Sequence, residues 1–71
     1  METKREKFVR LAEKRTEAVL NGIRLIGNLS NTSNYEYSAE DVSKIVKSLK
    51  NAVSDLEHAF SLSNKNTGFK L

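Results

Sequence analysis

Apolar side chains recur at intervals of three and four residues in the first part of the chain, from about residue 4 to residue 29. This spacing places them on one face of an α-helix, which turns once every ~3.6 residues. Thr3 followed by Glu6 has the spacing of a capping box, which favours a helix starting next to Thr3. The residues that we predict to form the core of this helix face are Phe8, Leu11, Val19, Gly22 and Ile26.

Two residues of this face are unusual. Arg15 falls where an apolar residue is expected, and its side chain either reaches a carboxylate across an interface or extends along the seam to water. Gly22 costs up to about 1 kcal/mol relative to alanine inside a helix. A closely packed partner helix or a local bend would offset that cost.

A second helix is predicted from about residue 39 to residue 60, with a more regular pattern. Ser38 is a suitable N-cap, and Glu40 and Asp41 place negative charge where the helix dipole favours it. Lysine, serine and asparagine occupy most of the opposite face. The predicted core residues of this helix are Val42, Ile45, Leu49, Val53, Leu56 and Phe60.

Residues 30–38 between the two helices are rich in serine and asparagine, which favour turns because their side chains bind nearby backbone groups. Residues 61–71 lack a periodic apolar pattern. We expect them to form a flexible tail, or one that docks through Phe69 and Leu71. The predicted organisation is thus a helical hairpin over residues 1–60 followed by a tail.

The predicted fold class is all-α, an antiparallel two-helix hairpin. Two helices have no interior between them, and each apolar face is wide enough to require two neighbours. A second hairpin supplies the missing neighbour, which predicts a homodimeric four-helix bundle, most simply with twofold symmetry.

Composition supports this dependence on a partner. The chain has 71 residues and no cysteine or proline. A chain of this size buries little surface, and it lacks the disulfides or cysteine-bound zinc that stabilise many small domains. The charged start of the sequence is followed by no apolar run of membrane-spanning or signal-peptide length, which predicts a cytoplasmic protein.

Neither a catalytic nor a cofactor-binding residue is predicted. His58 is the only histidine and has no cysteine or second histidine to complete a metal site. The adjacent acids Glu40 and Asp41 belong to a helix start. We therefore expect no enzyme activity, no metal and no cofactor.

The first candidate binding surface is residues 30–38, which we call the connector, together with Asn28 just before it. Tyrosine beside amide side chains is typical of surfaces that recognise proteins or unstacked bases. Alternatively, one tyrosine folds back and caps the end of the core. The candidate partner-binding residues are Asn28, Asn31, Asn34, Tyr35 and Tyr37.

Basic residues on the outer helix faces are the second candidate surface. The formal net charge is +3, and phosphate binding would use such side chains. Interspersed acids favour the simpler interpretation of a solvated helix face. The residues of this nucleic-acid alternative are Arg10, Arg24, Lys44, Lys47 and Lys50.

The junction between the helices resembles that of a family of small bacterial helical-hairpin proteins. The similarity is densest over residues 23–31, 33–37 and 40–42, which read IRLIGNLSN, SNYEY and EDV. These proteins are associated with phages and mobile elements and have no established activity, so the resemblance implies no site residues. The predicted architecture is also similar to that of Rop, the dimeric plasmid RNA-regulating protein, in form only.

These observations lead to one functional expectation and two alternatives. The chain is expected to be a homodimeric, non-enzymatic regulator that binds a macromolecular partner, most simply a protein, for a phage or mobile element. The first alternative is a Rop-like dimer that binds RNA or DNA. The second is an inhibitory subunit that folds fully only on its target.

Overall fold

The computed structural model describes residues 1–63, and in that range it contains helices and no strand. Helix α1 spans Lys4–Gly27, and helix α2 spans Ala39–Ser63. A short 3-10 helix, Asn28–Ser30, follows α1 directly. For these residues, the prediction of an all-α fold with two long helices is confirmed.

Helix α1 begins as the sequence predicts. The backbone N–H of Glu6 donates to Thr3 Oγ1 at 3.0 Å, and the backbone N–H of Thr3 donates to Glu6 Oε1 at 2.9 Å. Both halves of the capping box are therefore present, and they satisfy amides that have no partner within the helix.

The last turn of α1 tightens before the connector begins. The α-helix ends at Gly27, and Asn28–Ser30 continue as 3-10 helix, so the helical segment extends to Ser30, one residue beyond the predicted end. Tightening of this kind is common at helix ends because it satisfies carbonyl groups that the α-helix leaves without a partner.

Helix α2 also begins at its predicted N-cap and extends past its predicted end. Ser38 caps the first turn, and Glu40 and Asp41 lie in that turn. The helix continues through Ser61 and Leu62 to Ser63, whereas the apolar pattern fades after Phe60. The chain contains no proline, and its next glycine is Gly68, so no helix breaker follows Phe60 at once.

The first residues of the predicted tail are therefore helical. The possible docking of Phe69 and Leu71 lies outside the described residues. The chain divides after Glu36 into two units, each built on one of the long helices.

Candidate interaction surfaces

The apolar face of α1 is open to solvent. Phe8, Val19 and Ile26 expose 49%, 60% and 38% of their surface, whereas Leu11 and Gly22 are half-buried. No side chain in the described part of the chain is buried. None of the five residues predicted as core is therefore buried, and we call the surface that they form the α1 stripe.

Phe8 is partly covered by a neighbour in its own helix. The guanidinium carbon of Arg5 lies 5.8 Å from the centre of the Phe8 ring, which is within the range of a cation–π interaction. Sequence reasoning did not identify this pair. The spacing of three residues between Arg5 and Phe8 could have indicated it, because side chains three apart are neighbours on a helix surface.

Gly22 leaves a gap in the α1 stripe. A Cβ atom added at this position would meet no atom within 4 Å, and the backbone there has no positive φ. The described residues therefore place no close neighbour at Gly22. Arg15, two turns earlier on the same face, is exposed. The gap leaves space for a side chain from another helix.

The apolar face of α2 is equally open. Val53, Leu56 and Phe60 each expose half of their surface or more, and Leu49 is half-buried. We call the predicted core residues of this helix the α2 stripe. Its members are Val42, Ile45, Leu49, Val53, Leu56 and Phe60.

A shallow apolar depression lies beside the α2 stripe. Val46, Leu49, Lys50 and Val53 line it, and its volume is about 260 Å³. The wall from Lys50 is the aliphatic part of a charged side chain, which can cover an apolar surface while the amino group stays in water. The depression is open, so it suits a side chain of another helix better than an enclosed small molecule.

Sequence reasoning missed part of the apolar surface of α1. Leu20 and Ile23 expose 59% and 41% of their surface, and Val9 is half-buried. Val9 and Ile23 are two heptads apart, so they lie on the same side of the helix and widen the α1 stripe there. The spacing of Val9 and Ile23 could have predicted this wider apolar surface. The polar residue Thr16 lies between them at the same spacing and interrupts the apolar pattern.

Asn31 organises the connector. Its Oδ1 accepts a hydrogen bond from the backbone N–H of Ser33 at 3.0 Å. Its carbonyl oxygen accepts from the backbone N–H groups of Asn34 and Tyr35 at 3.1 and 3.0 Å. This is a turn of the kind that asparagine favours, so Asn31 has a structural role in addition to its candidate role in binding.

The connector tyrosines are half-exposed. Tyr35 presents 48% of its surface and Tyr37 presents 42%. Asn28, Asn31, Asn34 and Tyr35 belong to the first unit, and Tyr37 is the first residue of the second. The first unit therefore presents an amide-rich turn with one tyrosine at its end.

Three of the five candidate nucleic-acid-binding residues already bind side chains that are near them in the sequence. Arg10 donates from Nε and from a terminal nitrogen to the two carboxylate oxygens of Glu2, at 2.7 and 3.0 Å. This hydrogen-bonded pair lowers the pKa of Glu2 and raises the pKa of Arg10. Arg24 donates to the Asn21 side chain.

Lys44 forms an ion pair with an acid of its own helix, because its Nζ lies 3.7 Å from Glu40 Oε2. Lys47 and Lys50 are exposed on α2, but Lys50 also lines the apolar depression. The predicted basic residues thus face acids and apolar side chains as well as solvent. They do not form a uniformly basic surface on either helix.

The described residues offer no cluster of three acidic, histidine or cysteine side chains that could hold a metal ion. Within the same range, neither helix has the length and apolar character that crossing a membrane requires. No protein-family model matches the chain, and no curated protein or solved structure shows significant similarity to it.

Proposed function

We propose that this chain is a small, non-enzymatic interaction protein of the cytoplasm that acts as a homodimer. Each copy folds as an antiparallel helical hairpin, and two hairpins form a four-helix bundle. The dimer binds a protein partner through the connector, in the service of a phage or mobile element. The resemblance of the junction to hairpin proteins of such elements supports the last point.

The observation that carries the proposal is the exposure of two long apolar stripes in a chain without a buried side chain in its described part. Removing apolar surface from water contributes about 25 cal/mol per Å² and is the main stabilising term in folding and association. Helices of this kind gain most of their stability from tertiary packing. The stripes therefore require other helices as neighbours.

A protein partner is favoured over a nucleic acid by the charges around the candidate contacts. Arg10 and Lys44 are paired with acids, and Arg24 is paired with an amide. Phosphate binding would have to compete with these pairs. Tyr35 and Tyr37, by contrast, present large half-exposed aromatic surfaces of the type that contributes most to protein interfaces.

Dimerisation is tested by thermal melting at protein concentrations that differ a hundredfold. A dimer that unfolds to single chains melts at higher temperature when it is more concentrated, because assembly and folding are linked. A melting temperature that does not depend on concentration would contradict the proposed dimer. A chain that stays unfolded alone would instead favour a subunit that folds on its target.

The role of the connector is tested by replacing Asn34, Tyr35 and Tyr37 together with alanine. Cross-linking in the native host, followed by nuclease treatment and mass spectrometry, identifies the partner of the unmodified protein. We expect the triple variant to keep its helicity and to lose that adduct. The matched control replaces Ser43, Ser54 and Glu57 on the polar side of α2 with alanine. Equal adducts in both variants would exclude the connector as the binding surface.

A further inference from the structure

Asn21 and Gly22 form the one Asn-Gly sequence of the chain, and both residues lie within α1. Asn21 is exposed, and Gly22 is half-buried. A backbone amide attacks the asparagine before it most readily when the amide belongs to glycine, because glycine has no Cβ to hinder the approach. This pair is therefore a candidate site of spontaneous chemical modification.

The reaction at such a pair is an intramolecular deamidation. The backbone nitrogen of Gly22 attacks Cγ of Asn21 and loses its proton, and the side-chain nitrogen of Asn21 leaves as ammonia. The product is a five-membered succinimide ring. Water then opens the ring at either of its two carbonyl carbons. One opening gives aspartate, and the other gives isoaspartate, in which the main chain runs through the former side chain.

The surroundings of the pair favour this attack. A Cβ atom added at Gly22 would meet no atom within 4 Å, so no neighbour in the described residues crowds the attacking nitrogen. Arg24 donates a hydrogen bond to Oδ1 of Asn21. A cationic donor at this oxygen stabilises the negative charge that develops there when Cγ is attacked.

The helical conformation opposes the same attack. Inside an α-helix, the backbone N–H of Gly22 donates to the carbonyl group four residues earlier. Side chains tilt towards the helix start, which directs the Asn21 side chain away from the amide that follows it. The helix continues past the pair to Gly27, and no glycine in the described residues has a positive φ. Attack therefore requires α1 to open locally.

Little in the described chain holds α1 closed at this point. No side chain there is buried, and most helical stability in proteins comes from tertiary packing. Gly22 itself disfavours helix by up to about 1 kcal/mol relative to alanine. An α1 that nothing packs against therefore opens readily at the pair, whereas packing on α1 protects it.

We propose that Asn21–Gly22 is a deamidation site that is closed while α1 is helical and reactive when α1 opens. The two products act differently on the helix. Aspartate keeps the normal backbone and lies three residues before Arg24, a favourable spacing for opposite charges. Isoaspartate adds a carbon to the backbone and interrupts the helical hydrogen bonds. The site thus limits the lifetime of an unpacked chain. This chemistry belongs to a single chain and does not depend on the proposed homodimer.

The site is tested by incubating the full chain at mildly alkaline pH, with and without concentrated urea. Trypsin releases residues 16–24 as one peptide, in which mass spectrometry follows the replacement of NH2 by OH. Asn51, followed by Ala52, is the internal control, because it is also exposed within a helix. In urea, we expect Asn21 to react at least ~10-fold faster than Asn51, because only the control has a hindering Cβ.

Without urea, and where circular dichroism shows the chain to be helical, Asn21 should react at least ~10-fold more slowly than in urea, because only the open state reacts. Equal rates for Asn21 and Asn51 in urea would overturn the site. A rate at Asn21 that urea does not raise would overturn its protection by α1. Gly22→Ala should slow the reaction in urea to the rate of Asn51, and an unchanged rate would also contradict the site.

The effect of the modification is tested on aged protein. Helicity should fall in proportion to the isoaspartate content, which isoaspartyl methyltransferase measures. Asn21→Asp is the matched control, because it introduces the charge without the altered backbone, and it should keep the helicity of the unmodified chain. Unchanged helicity in a sample rich in isoaspartate would overturn the proposed limit on the lifetime of the chain.

Discussion

Ser38 and Asp41 cap each other at the start of α2. The backbone N–H of Asp41 donates to Ser38 Oγ at 3.1 Å, and the backbone N–H of Ser38 donates to Asp41 Oδ2 at 2.9 Å. Aspartate thus takes the place of the glutamate or glutamine of the usual capping box. This reciprocal pair fixes where the connector ends, directly after Tyr37, and it couples the position of that tyrosine to the helix.

Replacing Ser38 with alanine should lower the free energy of unfolding by about 1 kcal/mol, the usual cost of losing an N-cap side chain. Ser43→Ala is the matched control, because Ser43 lies within α2, where alanine favours helix. Chemical denaturation of both variants at one protein concentration measures the difference. Equal stability of the two variants would show that the cap does not stabilise α2.

The Glu2–Arg10 pair predicts a small dependence on pH. The hydrogen bonds from Arg10 hold the pKa of Glu2 below its ordinary value. A lowered folded-state pKa means that this stabilisation is present above the unfolded pKa and is lost as the pH falls through the folded pKa. Both side chains are exposed, so we expect the energetic effect to be slight.

Titration of Glu2 by NMR measures this effect directly. The pKa of Glu2 should rise in Arg10→Gln, because the charged donor is removed. Arg24→Gln should leave it unchanged, because Arg24 contacts Asn21 instead. A Glu2 pKa that is the same in Arg10→Gln as in the unmodified chain would contradict the pair.

Nucleic-acid binding should be absent. Electrophoretic shift assays at low salt and micromolar protein should show no shift for RNA or DNA, and Lys47→Gln with Lys50→Gln should change nothing. A shift that weakens steeply with salt and is lost in that variant would support the Rop-like alternative instead, because phosphate contacts release counterions.

Local features were predictable because their causes are local. The capping box of Thr3 and Glu6 and the N-cap at Ser38 follow from side chains three residues from the amides they bind. The helices follow from apolar spacing that only a helical period brings to one face. These features need no knowledge of what packs on the stripes.

Features without a strong local signal were less predictable. The continuation of α2 past Phe60 to Ser63 was not evident, because the apolar pattern fades there and serine favours turns as well as helix ends. The turn around Asn31 was expected, but its pattern of acceptors was not. The wider apolar surface at Val9 and Ile23 has a weak sequence signal, because the polar Thr16 lies between them at heptad spacing. What covers the stripes depends on other helices, which no local pattern specifies.

The central claim, that the stripes are covered by a second copy, is tested most directly by the mass of the unmodified protein in solution. Sedimentation equilibrium at micromolar concentrations should give twice the chain mass of 8.0 kDa, with dissociation only on dilution. A single 8.0 kDa species that stays compact, helical and cooperatively folded at every concentration would contradict the account.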